Sequence, residues 1–256
     1  IFLYSFSPLI IFEFFINAHI DILILFFLSG FIFFALRENA GSAFLFLSLS
    51  VLSKIYSIIF LPLYLIYFLN SGYKAKKIIT AVFFFMLPFV ILIFYGNNIA
   101  NIFITMQNYL QHWYFNNLIY VLINYLLNFF EVDNHLYARL ILIIIFMISY
   151  GLILKSRFTF LQKICFVSIS YLLFSHTVHP WYLTLPVLLL PLCFTSSSIF
   201  WSGFIVFTNL TVYFYLKDKI WEDILLVLVP EFCILVILII ADIKRITSSN
   251  ETKKFR

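Results

Sequence analysis

An all-α bundle of membrane helices is the fold this sequence predicts, and three observations predict it. Hydrophobic residues make up 64% of the 256 residues and charged ones 11%, against roughly 45–50% and about 25% in soluble domains. The apolar residues come in blocks long enough to cross a bilayer, which takes about 20. Blocks such as Ile141–Met147 show no alternation of apolar and polar residues, so the strands of a membrane barrel are excluded. The expected count is about nine to eleven membrane helices and half-helices.

The same composition excludes a soluble enzyme and a disordered tail, because so few charges cannot build a water-facing surface. The mean hydropathy of +1.08 agrees. The net charge of +5 is spread over loops and read as topology, so no nucleic-acid partner is expected. Cys165, Cys193 and Cys233 lie far apart in apolar runs without a Cys-x-x-Cys spacing. That argues against a disulfide framework and a zinc site and makes them small buried hydrophobes. The chain opens at Ile1 inside an apolar run, with no charged n-region and no cleavage site. A signal peptide is therefore not expected there, and a fragment lacking its N-terminal part is.

Taken in order, the apolar blocks give spans at roughly 20–36, 78–95, 138–154, 160–176, 199–216 and 224–243. Shorter apolar helices fall at roughly 2–14, 118–130 and 183–195. The stretch 41–70 is too long for one span. Ser53-Lys54 interrupts it and Pro62 follows, so it reads as two half-helices, the second kinked by the proline. Residues 1–243 form one transmembrane domain in this scheme, and 244–256 a basic tail.

Orientation follows from the basic residues of short loops, which favour the cytoplasm. Lys74/Lys76/Lys77, Lys155/Arg157 and Lys244/Arg245 with Lys253/Lys254/Arg256 hold ten of the sixteen Lys and Arg. With these inside, Glu13–Asp21, the break at Lys54, a loop at 96–117, His176–Tyr182 and Lys217–Asp223 all face outward. Segment 118–130 breaks the count of crossings unless it is a dipping or interfacial helix, with Glu131–His135 outside.

Ionisable groups at membrane depth are costly and so are candidates for function. Glu13, His19 and Asp21 fall within nine residues between two apolar helices. They either line a wet cavity or form a hydrogen-bonded bend. Lys54, at the apex of two half-helices, either snorkels to headgroups or holds an anion. The run Gln111-His112-Trp113-Tyr114-Phe115-Asn116-Asn117 has the aromatic residues of an interfacial belt, which accounts less well for His112 and the two Asn. His176-Thr177-Val178-His179-Pro180-Trp181-Tyr182 has two His at i, i+3. No companion ligand is present and Pro180 ends a helix, so a polar loop with Trp181 as a stacking face is preferred to a metal site. The Lys217–Asp223 loop reads as a solvated hairpin. Serine nucleophile elbows, Walker loops and dinucleotide glycine fingerprints are absent.

The succession of these motifs resembles a family. Pro8-Leu-x-x-x-Glu13 stands ahead of His19-x-Asp21. Lys54 between half-helices is followed by Pro62, then Trp113-x-Phe115-Asn116, then His179-Pro180-Trp181-Tyr182 opening a Pro-rich helix. Over roughly residues 8–195 the order resembles the polytopic glycosyltransferases of the GT-C superfamily, above all those that use polyprenyl-phosphate mannose. The resemblance implies a multi-pass protein of the cell (inner) membrane with its active site on the extracytoplasmic face. It implies transfer of a hexose, mannose first, from a polyprenyl- or dolichyl-phosphate donor to a glycan or glycolipid acceptor, with inversion and without a bound cofactor. The family's general base, an Asp in the first outer loop, would precede Ile1. Glu13 and Asp21 would then be auxiliary catalytic groups. His19, Lys54, Trp113, Asn116, His176, His179, Trp181 and Tyr182 would bind substrate.

The chemistry is reasonable on its own terms. A cation beside the donor phosphate stabilises the leaving group, which suits Lys54, His176 and His179. A carboxylate beside the acceptor hydroxyl takes its proton. Two other functions stay open: a membrane polymerase or ligase of lipid-linked glycans, and a secondary transporter, which also uses broken helices.

Overall fold

The computed structural model describes residues 2–70, 75–130, 134–219, 221 and 223–254. Among these residues there are only helices, turns and one isolated two-residue bridge. The chain divides into two compact units, residues 18–110, and residues 1–17 with 111–256.

The larger unit begins with α1 (Phe2–Ser5) and α2 (Pro8–Ile10). The expected helix over 2–14 is thus divided. Pro8 sits in the first turn of α2, where a missing N–H costs nothing, and a π-helical turn, Ile11–Ile16, follows.

The smaller unit contains α3 (Ile22–Leu36), α4 (Ala40–Ser53), α5 (Phe60–Asn70), α6 (Ala75–Met86) and most of α7 (Ile99–His112). Helix α4 packs against α3 and α6. Asn39 caps it by accepting from the Ser42 N–H. Its far end is where the sequence sets the interruption: Lys54 takes an extended conformation (φ −160°, ψ 122°), and a 3-10 turn over Ile55–Ile59 leads into α5. Pro62 does not kink α5 from within. It lies in the first turn, where its ring fits and no hydrogen bond is lost. Helix α6 runs on through a 3-10 stretch, Leu87–Asn98, to a turn at Gly96 with φ 44°. The expected loop over 96–117 is mostly the helix α7. Ile99, Phe103, Met106 and Leu110 recur there at helical spacing.

The rest of the larger unit is α8 (Leu118–Phe129), α9 (Asn134–Lys155), α10 (Phe160–Leu173), α11 (Thr184–Leu189), α12 (Ser196–Phe204), α13 (Asn209–Asp218) and α14 (Leu225–Lys254). Thr159 and Gln162 form a capping box at the start of α10. The expected helix over 183–195 stops at Leu189: Leu190 keeps helical dihedrals, but Pro191 has no N–H with which to continue the hydrogen-bond ladder. Helix α12 is capped from afar, with the Asp242 carboxylate of α14 accepting the N–H groups of Ser196 and Ser197 at 3.0 and 2.9 Å. The core of this unit gathers Leu9, Ile10, Leu172, Val178, Leu183, Val187, Trp201, Ile205 and Leu235.

Four helices among the described residues are long and apolar enough to cross a membrane: Lys77–Phe94, His135–Lys155, Ser196–Asp218 and Leu225–Glu251. Shorter apolar helices accompany them. Helix α14 runs unbroken past residue 243, so the basic segment starts as helix. Residues 71–74 of the first basic loop, 131–133 of the expected outer turn and 255–256 of the tail lie outside the described residues.

Candidate functional site

In the larger unit two of the sequence-predicted polar segments lie side by side. Phe115 and Thr177 form a parallel bridge. The Phe115 N–H donates to the His176 carbonyl at 3.2 Å, and the Val178 N–H to the Phe115 carbonyl at 2.8 Å. The Thr177 hydroxyl adds a bond to the Trp113 carbonyl at 3.3 Å. Asn117 anchors the pairing. Its oxygen caps α8 through the Tyr120 N–H, and its amide donates to the carbonyls of Leu173 and Ser175 at the end of α10.

An aromatic tier grows on this bridge. His179 is stacked between Phe115 and Trp181, with ring centroids 5.1 and 4.3 Å apart. Tyr182 meets it edge-on at 5.5 Å. Trp221 leans on Phe115 at 5.5 Å and meets Trp113 at 6.3 Å. Trp113 is half exposed, so the tier presents an aromatic face. The sequence reads Trp113 as a belt residue and Trp181 as a stacking face; Trp221, Phe115 and His179 join them in one assembly. The His112 side chain lies outside the described residues.

Beside the tier stands a pair of acids that sequence reasoning does not single out. Asn116 adopts left-handed φ of 50°, a conformation Asn tolerates better than most residues. That turn aims its N–H at both oxygens of Asp223, at 3.1 and 3.0 Å. Its side-chain amide donates to Glu231 Oε1 at 3.2 Å, which also accepts the Trp201 indole N–H at 2.8 Å. Glu231 is 0% exposed, and its Oε2 has no hydrogen-bond partner among the described residues. Burial raises the Asp223 pKa, and the Asn116 N–H opposes the rise. The sequence placed Asp223 in a solvated hairpin. The signal that could find Glu231 is one acidic residue next to Pro230 inside an apolar span.

A third cluster surrounds His176. The Tyr120 hydroxyl lies 2.7 Å from His135 Nδ1, and Tyr114 stacks on His135. Tyr120 also faces the His176 ring. Arg139, one turn into α9, is a cation for both Tyr120 and His176. Burial, then Arg139, lowers the His176 pKa to about 4. The imidazole is therefore neutral near pH 7. Arg139 is the charge in this cluster, and a lone Arg in the apolar run of α9 was its signal.

Glu13, also in this unit, is 2% exposed in the π-helical turn and accepts from the Asn17 amide at 3.2 Å.

In the smaller unit His19, Asp21 and Lys54 converge. Asp21 is 3% exposed, and its carboxylate is not spent on capping α3. It accepts two bonds from Lys54 Nζ, at 2.9 and 3.2 Å, and lies 3.2 Å from His19 Nδ1. Lys54 also reaches the Tyr56 ring at 5.8 Å. The extended backbone at the α4 break lets Lys54 reach Asp21, 33 residues earlier. Ala18, with φ 50°, carries strain of roughly 1–2 kcal/mol in the turn that leads to Asp21.

No protein-family model, curated protein or solved structure matches this chain.

Proposed function

We propose that this chain is the membrane domain of a GT-C-type glycosyltransferase. It transfers a hexose, mannose being the first candidate, from a polyprenyl- or dolichyl-phosphate donor to a glycan or glycolipid acceptor outside the cell membrane. The observation that supports it is the pairing of an aromatic tier with an amide–carboxylate network. Sugars are held by those two chemistries together. Their C–H faces stack on rings such as Trp113, Trp181 and Tyr182. Their hydroxyls exchange directed hydrogen bonds with groups such as Asn116 and Asp223, the carboxylate accepting. Arg139 serves a donor phosphate, and the neutral His176 donates a hydrogen bond to it. In the smaller unit, Lys54, held by Asp21 and oriented with His19, offers a cation of its own to an anionic group. Glu13, in the same unit as the tier, is an auxiliary carboxylate.

The test is transfer of label from polyprenyl-phosphate mannose to endogenous acceptors in membranes carrying the full-length protein. Wild type should transfer label. Trp181→Ala and Asp223→Asn should each lower the rate more than tenfold at unchanged abundance, as the loss of about 1.4 kcal/mol of transition-state binding or more would require. Products of many sugar lengths would indicate a polymerase. Absence of transfer with any polyprenyl-phosphate hexose sinks the proposal. The broken helix with its part-buried Asp21–Lys54 pair also suits a secondary transporter. Solute uptake into proteoliposomes without sugar transfer would favour that function.

A further inference from the structure

A groove of about 1030 Å³ opens in the larger unit between the C-terminal part of α9, the turn after it and the last third of α14. It lies far along the chain from the aromatic tier, among residues to which the proposed transferase chemistry gives no role. Its volume is at the upper end of small-ligand sites, roughly 300–1000 Å³. Leu152 and Ile153 of α9 face it together with Ile243 of α14. Apart from Ser149 at one end and Phe158 at the other, the lining becomes polar toward the ends of those helices. Lys155, Lys163, Lys244 and Arg245 belong to the same ends of α9, α10 and α14. A gap between two membrane-length helices, apolar along one stretch and polar at the end rich in basic residues, has the profile of a lipid.

The charges in the lining select the kind of lipid. Arg157 and Glu251 are the charged residues that line the groove. Both are exposed, and no ion pair joins them among the described residues. Asn250, beside Glu251, is fixed by a two-way amide pair with Gln162 at 2.9 and 3.3 Å. The groove therefore offers one guanidinium and one carboxylate, separated, with no net charge. A headgroup carrying a phosphate and a primary ammonium satisfies both. The guanidinium takes the phosphate oxygens, and the carboxylate accepts N–H bonds from the ammonium. A choline headgroup has no N–H to donate. A phosphatidylglycerol headgroup has no cation and leaves Glu251 facing an anion. We propose that this groove is a binding site for a phosphatidylethanolamine-type lipid, with its phosphate on Arg157 and its ammonium on Glu251.

The test is native mass spectrometry of the full chain, delipidated in detergent and titrated separately with dioleoyl phosphatidylethanolamine, phosphatidylcholine and phosphatidylglycerol. The first phosphatidylethanolamine bound should have an affinity about tenfold above either competitor, the worth of one charge-assisted hydrogen bond. Arg157→Gln should weaken the first binding of all three lipids about tenfold. Glu251→Gln should abolish the preference for phosphatidylethanolamine while leaving phosphatidylglycerol binding equal or stronger. Both positions are exposed, so the variants keep the fold, checked by circular dichroism. Tighter binding of phosphatidylglycerol to wild type, equal binding of all three lipids, or a preference that survives Glu251→Gln would each overturn the proposal. Since the readout is binding and not sugar transfer, failure here is independent of failure of the transferase proposal.

Discussion

Asp21 shows how much one residue can be asked to do. It is buried, it holds Lys54 by two hydrogen bonds, and it lies beside His19. Removing Asp21 strands the Lys54 charge, and because the Lys54 side chain is 29% exposed the cost falls below the roughly 3–5 kcal/mol of a fully buried pair. Asp21→Ala is therefore expected to lower the thermal midpoint of the detergent-solubilised protein. Asp21→Asn combined with Lys54→Met should recover most of that loss. If the double variant is as unstable as Asp21→Ala, the pair is not what destabilises the single variant. A catalytic role adds a separate signature: the recovered double variant would be folded and inactive. His176 gives a second expectation at this scale. Its folded pKa of about 4 lies below its ordinary 6.5, so the neutral ring contributes stability that is present above pH 6.5. That stability is lost as pH falls through about 4. Melting curves from pH 7 to 4 should show a decline that His176→Gln reduces. An identical decline in the variant would mean that other groups cause it.

Helix packing carries its own constraints. Gly30 of α3 lies where a Cβ would come within 2.1 Å of the Phe46 ring of α4. That ring is held among Phe26, Phe27 and Phe34, so it has little room to yield. Overpacking of this kind costs about 1–3 kcal/mol. Gly30→Ala should destabilise by that amount, and Phe46→Leu in the same chain should relieve part of it. An unchanged melting temperature for Gly30→Ala would show that α3 and α4 are not this closely packed. The element scale is also where the sequence is most legible. The break of 41–70 at Ser53-Lys54 and the start of a helix at Leu118 follow from local signals, a polar interruption and an Asn cap. The 183–195 helix and the 96–117 loop differ from expectation for local reasons too. Pro191 outweighs the apolar run before it, and α7 shows its helical spacing through polar company.

For the whole molecule, the basic loops predict that Arg157 faces the cytoplasm and Asp218 the outside. With Cys233, the exposed native thiol, replaced by Ser, single cysteines at 157 and 218 should label from opposite sides of sealed vesicles. Labelling of both from one side would overturn this topology, and with it the proposed placement of the site outside the membrane.

The sequence by itself determined that the chain is helical, that several of its helices are apolar enough to cross a membrane, that one long apolar stretch breaks at Lys54, and which short segments carry polar groups among apolar neighbours. Those properties depend on composition and on neighbours within a few residues, which a linear pattern contains. It also supplied His19, Asp21 and Lys54 as candidates. Only the tertiary structure decided which polar groups meet. The Phe115–Thr177 bridge joins segments about 60 residues apart. Asn116 and Glu231 are 115 residues apart. Arg139 stands beside His176 by the packing of α9 against α10. A hydrogen bond is worth little until packing excludes water from both partners, so the pairing of buried polar groups is settled by the fold and not by spacing along the chain.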